Sequence, residues 1–212
     1  MRRGEISSAP CIWANYEFLE AILVRLLLFF LAVILNGCVL LPSTPVPAAR
    51  PIHAESAPFA LNGRIAINHQ GKRHSAGLRW THQVQSDEVL LLAPLGQTAA
   101  RVYRDAGSAT LDDGDKHYSA DNAEALMEQA LGWHLPLGGL HHWVLGLASA
   151  DSPAQIERDG NGQITVLHQD RWEVRYLRYA GTRPDSLPAR LQLSRDDLQI
   201  QLLIDEWEWN SP

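Results

Sequence analysis

The stretch LPARLQLSRDDLQIQLLIDEW, residues 187–207, holds two apolar series that each recur at every second position. Leu187, Ala189, Leu191 and Leu193 alternate with Pro188, Arg190 and Gln192. Beyond Arg195-Asp196-Asp197, Leu198, Ile200, Leu202 and Ile204 alternate with Gln199, Gln201 and Asp205. A period of two sets every second side chain on one side of an extended strand, so each series buries one face and wets the other. The charged triplet between them has turn chemistry, and the pair reads as a hairpin. Leu203 and Trp207 fall on the opposite phase, which makes the second face of the last strand partly apolar.

The same rule recurs upstream. Ala76, Leu78 and Trp80 alternate with Gly77, Arg79 and Thr81, and Trp172, Val174 and Tyr176 alternate with Arg171, Glu173 and Arg175. Turn residues punctuate the runs at Gln70-Gly71, Pro94-Leu95-Gly96, Asp105-Ala106-Gly107, Asp113-Gly114 and Asp159-Gly160-Asn161-Gly162. About eleven short strands at this spacing predict a mainly β protein, a meandering antiparallel sheet curled toward a barrel rather than βαβ units.

One region departs from alternation. Asp121 is placed to cap a helix in which Ala123, Leu126, Met127, Ala130 and Leu131 form an amphipathic stripe, with Gly132 as its stop. A second helix is expected from Pro136 to Leu147, with Leu140, Trp143, Val144 and Leu147 on its apolar side. Two readings fit these residues: a helical hairpin that closes the core, or a lid over a cavity.

The amino terminus is a targeting problem before it is a folding one. The run AILVRLLLFFLAVILNGCVLL is nearly free of polar residues. A transmembrane anchor, a buried helix and a secretory signal compete for it. A spanning helix needs about 20 apolar residues and a signal core roughly 7–15, and Leu26–Leu35 fits the second range. Leu35-Asn36-Gly37-Cys38 resembles a bacterial lipobox, with Asn36 where Ala, Ser or Thr is usual. That resemblance makes residues 1–37 a signal peptide and Cys38 the lipidated first residue of the mature chain. The chain has two cysteines, Cys11 and Cys38, so cleavage leaves a single thiol to carry lipid and no intramolecular disulfide. The acidic Glu5, Glu17 and Glu20 are foreign to a signal's basic start, and translation from a non-AUG codon near Leu19 to Val24 accounts for them. Residues 38–58, rich in Pro, Ala and Ser, read as an extended tether with a reach of at most about 70 Å; the domain proper is 59–212.

The composition excludes several functions. A net charge of −6 without a basic run offers no footprint for nucleic acid. No nucleophile motif, phosphate loop or dinucleotide-binding glycine pattern occurs, so no enzyme and no cofactor are expected. His134, His141 and His142 are the best metal candidates, yet adjacent helical residues diverge by about 100° and no fourth ligand is near. Asp112, Asp113 and Asp115 lack the spacing of a calcium loop and read as a solvated turn. Arg79, Arg101 and Arg175 read as one solvated face.

Taken together, the lipobox, GRIAI, APLGQTAARV, YSADNAEALMEQALGWHLPLGGLHHWVLGL and LPARLQLSRDDLQIQLLIDEW resemble the LolB family across nearly all of residues 59–209. The resemblance implies a half-open antiparallel barrel with a helical lid over an apolar cavity. It also implies an outer-membrane, lipid-anchored, periplasm-facing receptor that takes acylated lipoproteins from a LolA-like periplasmic carrier and inserts them into the inner leaflet. Relatives with a longer helix before the first strand differ from this chain, where Ala54–Pro58 leaves little room. The expected acyl-chain site comprises Leu78, Trp80, Leu126, Met127, Trp143, Trp172 and Ile200, and the protein is expected to be a monomer. A structural outer-membrane scaffold is the alternative, and a lipid hydrolase the third reading.

Leu95 stands apart. With Ala93 to Gly96 as the turn, Pro94 presets φ at the second position and Leu95 takes the third, which fits a type I turn that aims the leucine outward. A single surface leucine needs no explanation. The family resemblance instead makes Leu95 the residue that enters the membrane during delivery.

Overall fold

The computed structural model describes residues 25, 49–50, 57–114 and 116–209. The chain divides into two units, 1–43 and 44–212. Only Arg25 of the first is described, so the rest of the expected signal peptide, Cys38 and most of the expected tether lie outside the described residues, as does Asp115. No described helix is long and apolar enough to cross a membrane.

The second unit is one eleven-stranded antiparallel sheet with two helices. Its strands are β1 (Phe59–His69), β2 (Lys72–Gln83), β3 (Ser86–Leu92), β4 (Thr98–Arg104), β5 (Ala109–Asp113) and β6 (Lys116–Ala120), followed, after the helices, by β7 (Ala154–Arg158), β8 (Ile164–Gln169), β9 (Trp172–Tyr179), β10 (Pro188–Arg195) and β11 (Leu198–Trp209). The spatial order is β6-β5-β4-β3-β2-β1-β11-β10-β9-β8-β7. Two meanders, β1–β6 and β7–β11, are therefore joined where β1 pairs with β11, and β6 and β7 remain as the two edges. Helices α1 (Ala123–Leu131) and α2 (Leu137–Val144) belong to the segment that links those edges. The sheet is a half-open barrel, and both helices bury their apolar sides in the same core as its inner face.

The predicted faces hold with two corrections: Pro188, expected on the wet side of β10, is buried next to a register shift, and β11 changes phase. On β11, Leu198, Ile200, Leu202 and Ile204 are buried, but so is Trp207, which alternation had placed on the second face. Asn62 pairs with Glu206 whereas Gly63 pairs with Ile204, so Asp205 is an extra residue that shifts the phase by one. Gly63 makes this bulge possible: a Cβ there would lie 2.1 Å from the Leu203 carbonyl oxygen. Trp207 consequently packs edge-on to Phe59, 5.3 Å between ring centres.

The helices also differ slightly from expectation. Asn122, not Asp121, caps α1: its backbone is extended and its Oδ1 accepts from the Ala125 N–H at 2.9 Å. Gly132 ends the helix in the left-handed region, with its N–H donating to Glu128 O. α2 stops at Val144 rather than Leu147, because Gly146 takes φ 72° and turns the chain. Within α2, Gly139 is required: a Cβ would fall 2.6 Å from the Trp143 ring.

The bulge yields a test of which face Trp207 occupies. Trp207→Ala is expected to cost about 3–5 kcal/mol in urea unfolding, as for a core tryptophan. A change within about 0.5 kcal/mol, typical of surface sites, would return Trp207 to the solvent face.

Candidate functional site

The seven residues expected to line the acyl site come from five elements and meet in one interior. Leu78 and Trp80 lie on β2, Leu126 and Met127 on α1, Trp143 on α2, Trp172 on β9 and Ile200 on β11, and all seven are buried in a single apolar cluster. Trp143 and Trp172 approach to 6.4 Å between ring centres, so α2 reaches the β7–β11 half of the sheet, while α1 packs on β4, β5 and β6. Sequence reading did not single out Leu137 and Leu145, which are as deeply buried and flank Trp143 along α2. Here side chains of the two helices fill the concave face.

What holds α2 down is largely polar. At its start, Arg104 donates through Nη2 to Leu137 O at 3.3 Å and through Nε to Asp87 Oδ2 at 2.7 Å. Asp87 is almost fully buried, and its Oδ1 also accepts from Trp80 Nε1 at 2.7 Å and faces His82 Nδ1 at 2.8 Å. Burial alone would push the Asp87 carboxyl up; hydrogen bonds from His82 and Arg104 and their charges outweigh it and hold the group below the ordinary carboxylate range. In mid-helix, the Trp143 Nε1 donates to Gln169 Oε1 at 2.9 Å, and the Tyr176 hydroxyl donates to Trp143 O at 2.9 Å. Burial pushes the Tyr176 phenol well above its usual value, so it stays protonated as that donor.

At the carboxyl end of α2 a residue from the expected tether appears. Arg50 Nη1 donates to Leu145 O at 2.7 Å and to Gly146 O at 2.9 Å, and its backbone N–H donates to Asp185 O. A cation on the free carbonyls that end a helix satisfies acceptors the helix cannot and complements its dipole. Ala49 and Arg50, within the stretch read as an extended tether, are thus docked to the domain. The two arginines grip opposite ends of the same helix.

The histidines are used for packing. His82 and His141 stack at 4.8 Å, and the His141 and His142 rings lie 3.8 Å apart despite the divergence expected of helix neighbours. His134 Nδ1 faces Glu128 Oε2 at 2.9 Å. Among the described residues no group of three or more His, Cys, Asp or Glu is gathered in a metal-binding set. Arg79, Arg101 and Arg175 lie on the exposed outer face, bonded to Asn62, Glu88 and Glu173 respectively.

The β3–β4 hairpin has the predicted turn. The Gly96 N–H donates to Ala93 O at 2.8 Å, the Ala93 N–H donates to Gln97 O at 2.8 Å, and Gly96 has φ 84°. This is a three-residue loop in which a type I turn is followed by a left-handed glycine. Leu95 at its tip is 85% exposed, the most exposed large apolar side chain described.

The His141 environment sets a pH dependence. Burial, then repulsion from His142 and His82, lowers its pKa from 6.5 to about 4, against smaller opposing pulls from the hydrogen bond to Leu137 O and from Asp87. As pH falls from about 6.5 to about 4 the unfolded chain binds a proton that the folded chain refuses, so the stability present above pH 6.5 is progressively lost. Asp87, with its lowered pKa, acts in the same direction at still lower pH. The melting temperature is therefore expected to drop across this window and His141→Leu to flatten the drop; an unchanged slope would exclude His141 as its source.

The chain is similar to known proteins along this same domain. The sequence model of the family described as "Outer membrane lipoprotein LolB" matches residues 57–207. The outer-membrane lipoprotein LolB of Nitrosomonas europaea is 42% identical over 154 residues, 71% of this chain and 73% of that protein. That of Chromobacterium violaceum is 37% identical over 185 residues, 87% of this chain and 98% of that protein. That of an Azoarcus species is 37% identical over 179 residues, 82% and 90%. Among solved structures, a LolA superfamily protein from Nitrosomonas europaea aligns with TM-score 0.45 and 8% identity, covering 74% of this chain and 88% of that one. Matched by the family model over most of its length, and by relatives well above 30% identity, this chain belongs to the LolB family of outer-membrane lipoproteins.

Proposed function

We propose that this protein is an outer-membrane lipoprotein receptor. It takes acylated lipoproteins from a LolA-like periplasmic carrier into the apolar interior beneath α1 and α2, and releases them into the inner leaflet of the outer membrane. The observation that carries the reading is the helix pair itself: it covers a large apolar interior, and α2 is tied to the sheet through a small set of hydrogen bonds. Lifting the pair exposes Leu78, Trp80, Trp172 and Ile200 to an incoming chain, while Leu126, Met127 and Trp143 move with the lid. In this reading the protein works as a monomer, anchored through lipid on Cys38 and facing the periplasm.

The energetics need no fuel. Each buried CH₂ is worth about 0.8 kcal/mol, so an acyl chain leaves one apolar site only for another of comparable depth, and each transfer is close to thermoneutral. The interior must be refilled when cargo leaves, and the apolar side chains of α1 and α2 do that. No covalent chemistry is required. A purely structural scaffold would leave both an apolar-faced lid and an exposed Leu95 without a use.

Leu95 acts at release. Burying one leucine yields about 1.5–3 kcal/mol, too little to hold a protein on a bilayer but enough to orient one already anchored. The test uses the mature chain with Cys38→Ser, mixed with a carrier–lipoprotein complex in the absence of ATP. Cargo should pass to this chain, and failure to pass overturns the receptor reading. In the lipidated chain, with Cys38 intact, Leu95→Glu should preserve uptake and lower delivery into liposomes about tenfold or more, the equivalent of the lost leucine burial; undiminished delivery overturns the role of Leu95.

A further inference from the structure

The outer face of the sheet carries an unassigned row of residues at the level of the β3–β4 hairpin. Strand register sets Leu92 of β3 opposite Gly77 of β2, Gly77 opposite Arg64 of β1, and Arg64 opposite Leu203 of β11. The row continues from Leu203 to Arg190 of β10 and from Arg190 to Arg178 of β9. Arg64, Arg190 and Arg178 are exposed; Leu203 is half-buried between Arg64 and Arg190, and Leu92 is half-buried at the hairpin end of the row. Pro94, Leu92, Leu203, Arg64 and Arg190 line one open furrow of about 410 Å³, so the hairpin that bears Leu95 and the arginine row border the same surface.

Among the described residues the charges in this row are poorly compensated. Arg64 pairs with Asp205 at 3.0 Å, but Arg190 donates only to the neutral Gln201, and Arg178 has no ion pair among the described residues. Arg190 and Arg178 face each other across neighbouring strands, an arrangement of like charges that destabilises a sheet unless something else neutralises it. Elsewhere on the outer face Arg101 pairs with Glu88 and Arg175 with Glu173, while Arg79 donates to Asn62. The chain carries a net charge of −6, which repels an anionic surface from most directions. Apolar groups beside guanidinium groups that have no carboxylate partner among the described residues match the layering of a membrane surface, where hydrocarbon lies beneath phosphate, and guanidinium binds phosphate bidentately.

We propose that this row, Arg178 and Arg190 foremost, reads the anionic headgroups of a phospholipid surface and sets the tilt at which Leu95 enters it. The inference rests on the delivery reading for Leu95 and adds a lipid-class preference to it. The apolar tip contributes affinity for any bilayer. The arginines add a contribution only where phosphate charge is in net excess, and it weakens as salt screens it.

The test is sedimentation of the Cys38→Ser mature chain with vesicles of phosphatidylcholine alone or with added phosphatidylglycerol, at low and high salt. Tighter binding to the anionic vesicles, reduced by salt, is expected. R178Q/R190Q should lose that preference by roughly fivefold for each arginine, while keeping its melting temperature and its cargo uptake. Equal binding to both vesicles, or a preference unaltered in R178Q/R190Q, overturns the proposal. Leu95→Glu is expected to weaken binding to both compositions alike; if it weakens neither, the insertion role of Leu95 falls, an outcome separate from the arginine result.

Discussion

The pairing of β1 with β11 is the constraint on which the rest of the molecule depends. It brings Phe59 against Trp209 and His69 against Leu198, joining two local meanders into one sheet. Closing so long a loop costs on the order of 4 kcal/mol in chain entropy beyond a constant. Phe59, Leu61, Ile65 and Ile67 of β1, with Leu198, Ile200, Leu202, Ile204 and Trp207 of β11, are all buried in return. At about 1.5–3 kcal/mol for each side chain, that burial outweighs the closure several-fold. Gly63 is required at this joint, since a side chain there would strike the Leu203 carbonyl. Loss of the joint would leave two separate sheets and no shared interior for the helices to cover.

Given one curved sheet, the helix pair becomes a cover, and the balance of forces on it matters for function. Its apolar side chains favour closure, and the polar ties at Leu137, Trp143, Leu145 and Gly146 specify where α2 sits. Such hydrogen bonds are directional and modest in net value, about 0.5–1.5 kcal/mol each and more where a charge is involved. They locate a lid without locking it. Arg50 adds a connection of another kind: it ties the chain ahead of β1 to the carboxyl end of α2.

Much of this was legible beforehand and some was not. The strand number, the faces of β2, β9 and, Pro188 apart, β10, the type I turn at Ala93–Gly96 and the burial of all seven interior residues followed from period and turn chemistry. Trp207 was misplaced because a bulge is a property of two strands; Asp205 carries no local sign of being the extra residue. The α1 cap was displaced by one position, since Asp121 and Asn122 are equally good caps and only backbone geometry chooses. Asp87 has no local pattern that marks it as buried, and its burial depends on Trp80, His82 and Arg104 converging from β2 and β4. Arg50 lay in a proline-rich stretch with no pattern of its own. A sharper reading of α2 was available: Gly146 after Leu145 is a helix stop, and Gly139 four residues before Trp143 marks where the indole ring must pass.

By itself the sequence determined which residues are inside, where the chain turns and which leucine stands uncovered, because alternation and turn chemistry act between neighbours a few residues apart. Tertiary structure alone decided that β1 meets β11, that the phase of β11 shifts at Asp205, that Arg50 and Arg104 grip opposite ends of α2, and that three arginines from three strands share a row with the Leu95 hairpin. Those arrangements depend on register between segments distant in sequence, and register is set by packing of the whole sheet rather than by the preferences of any one strand.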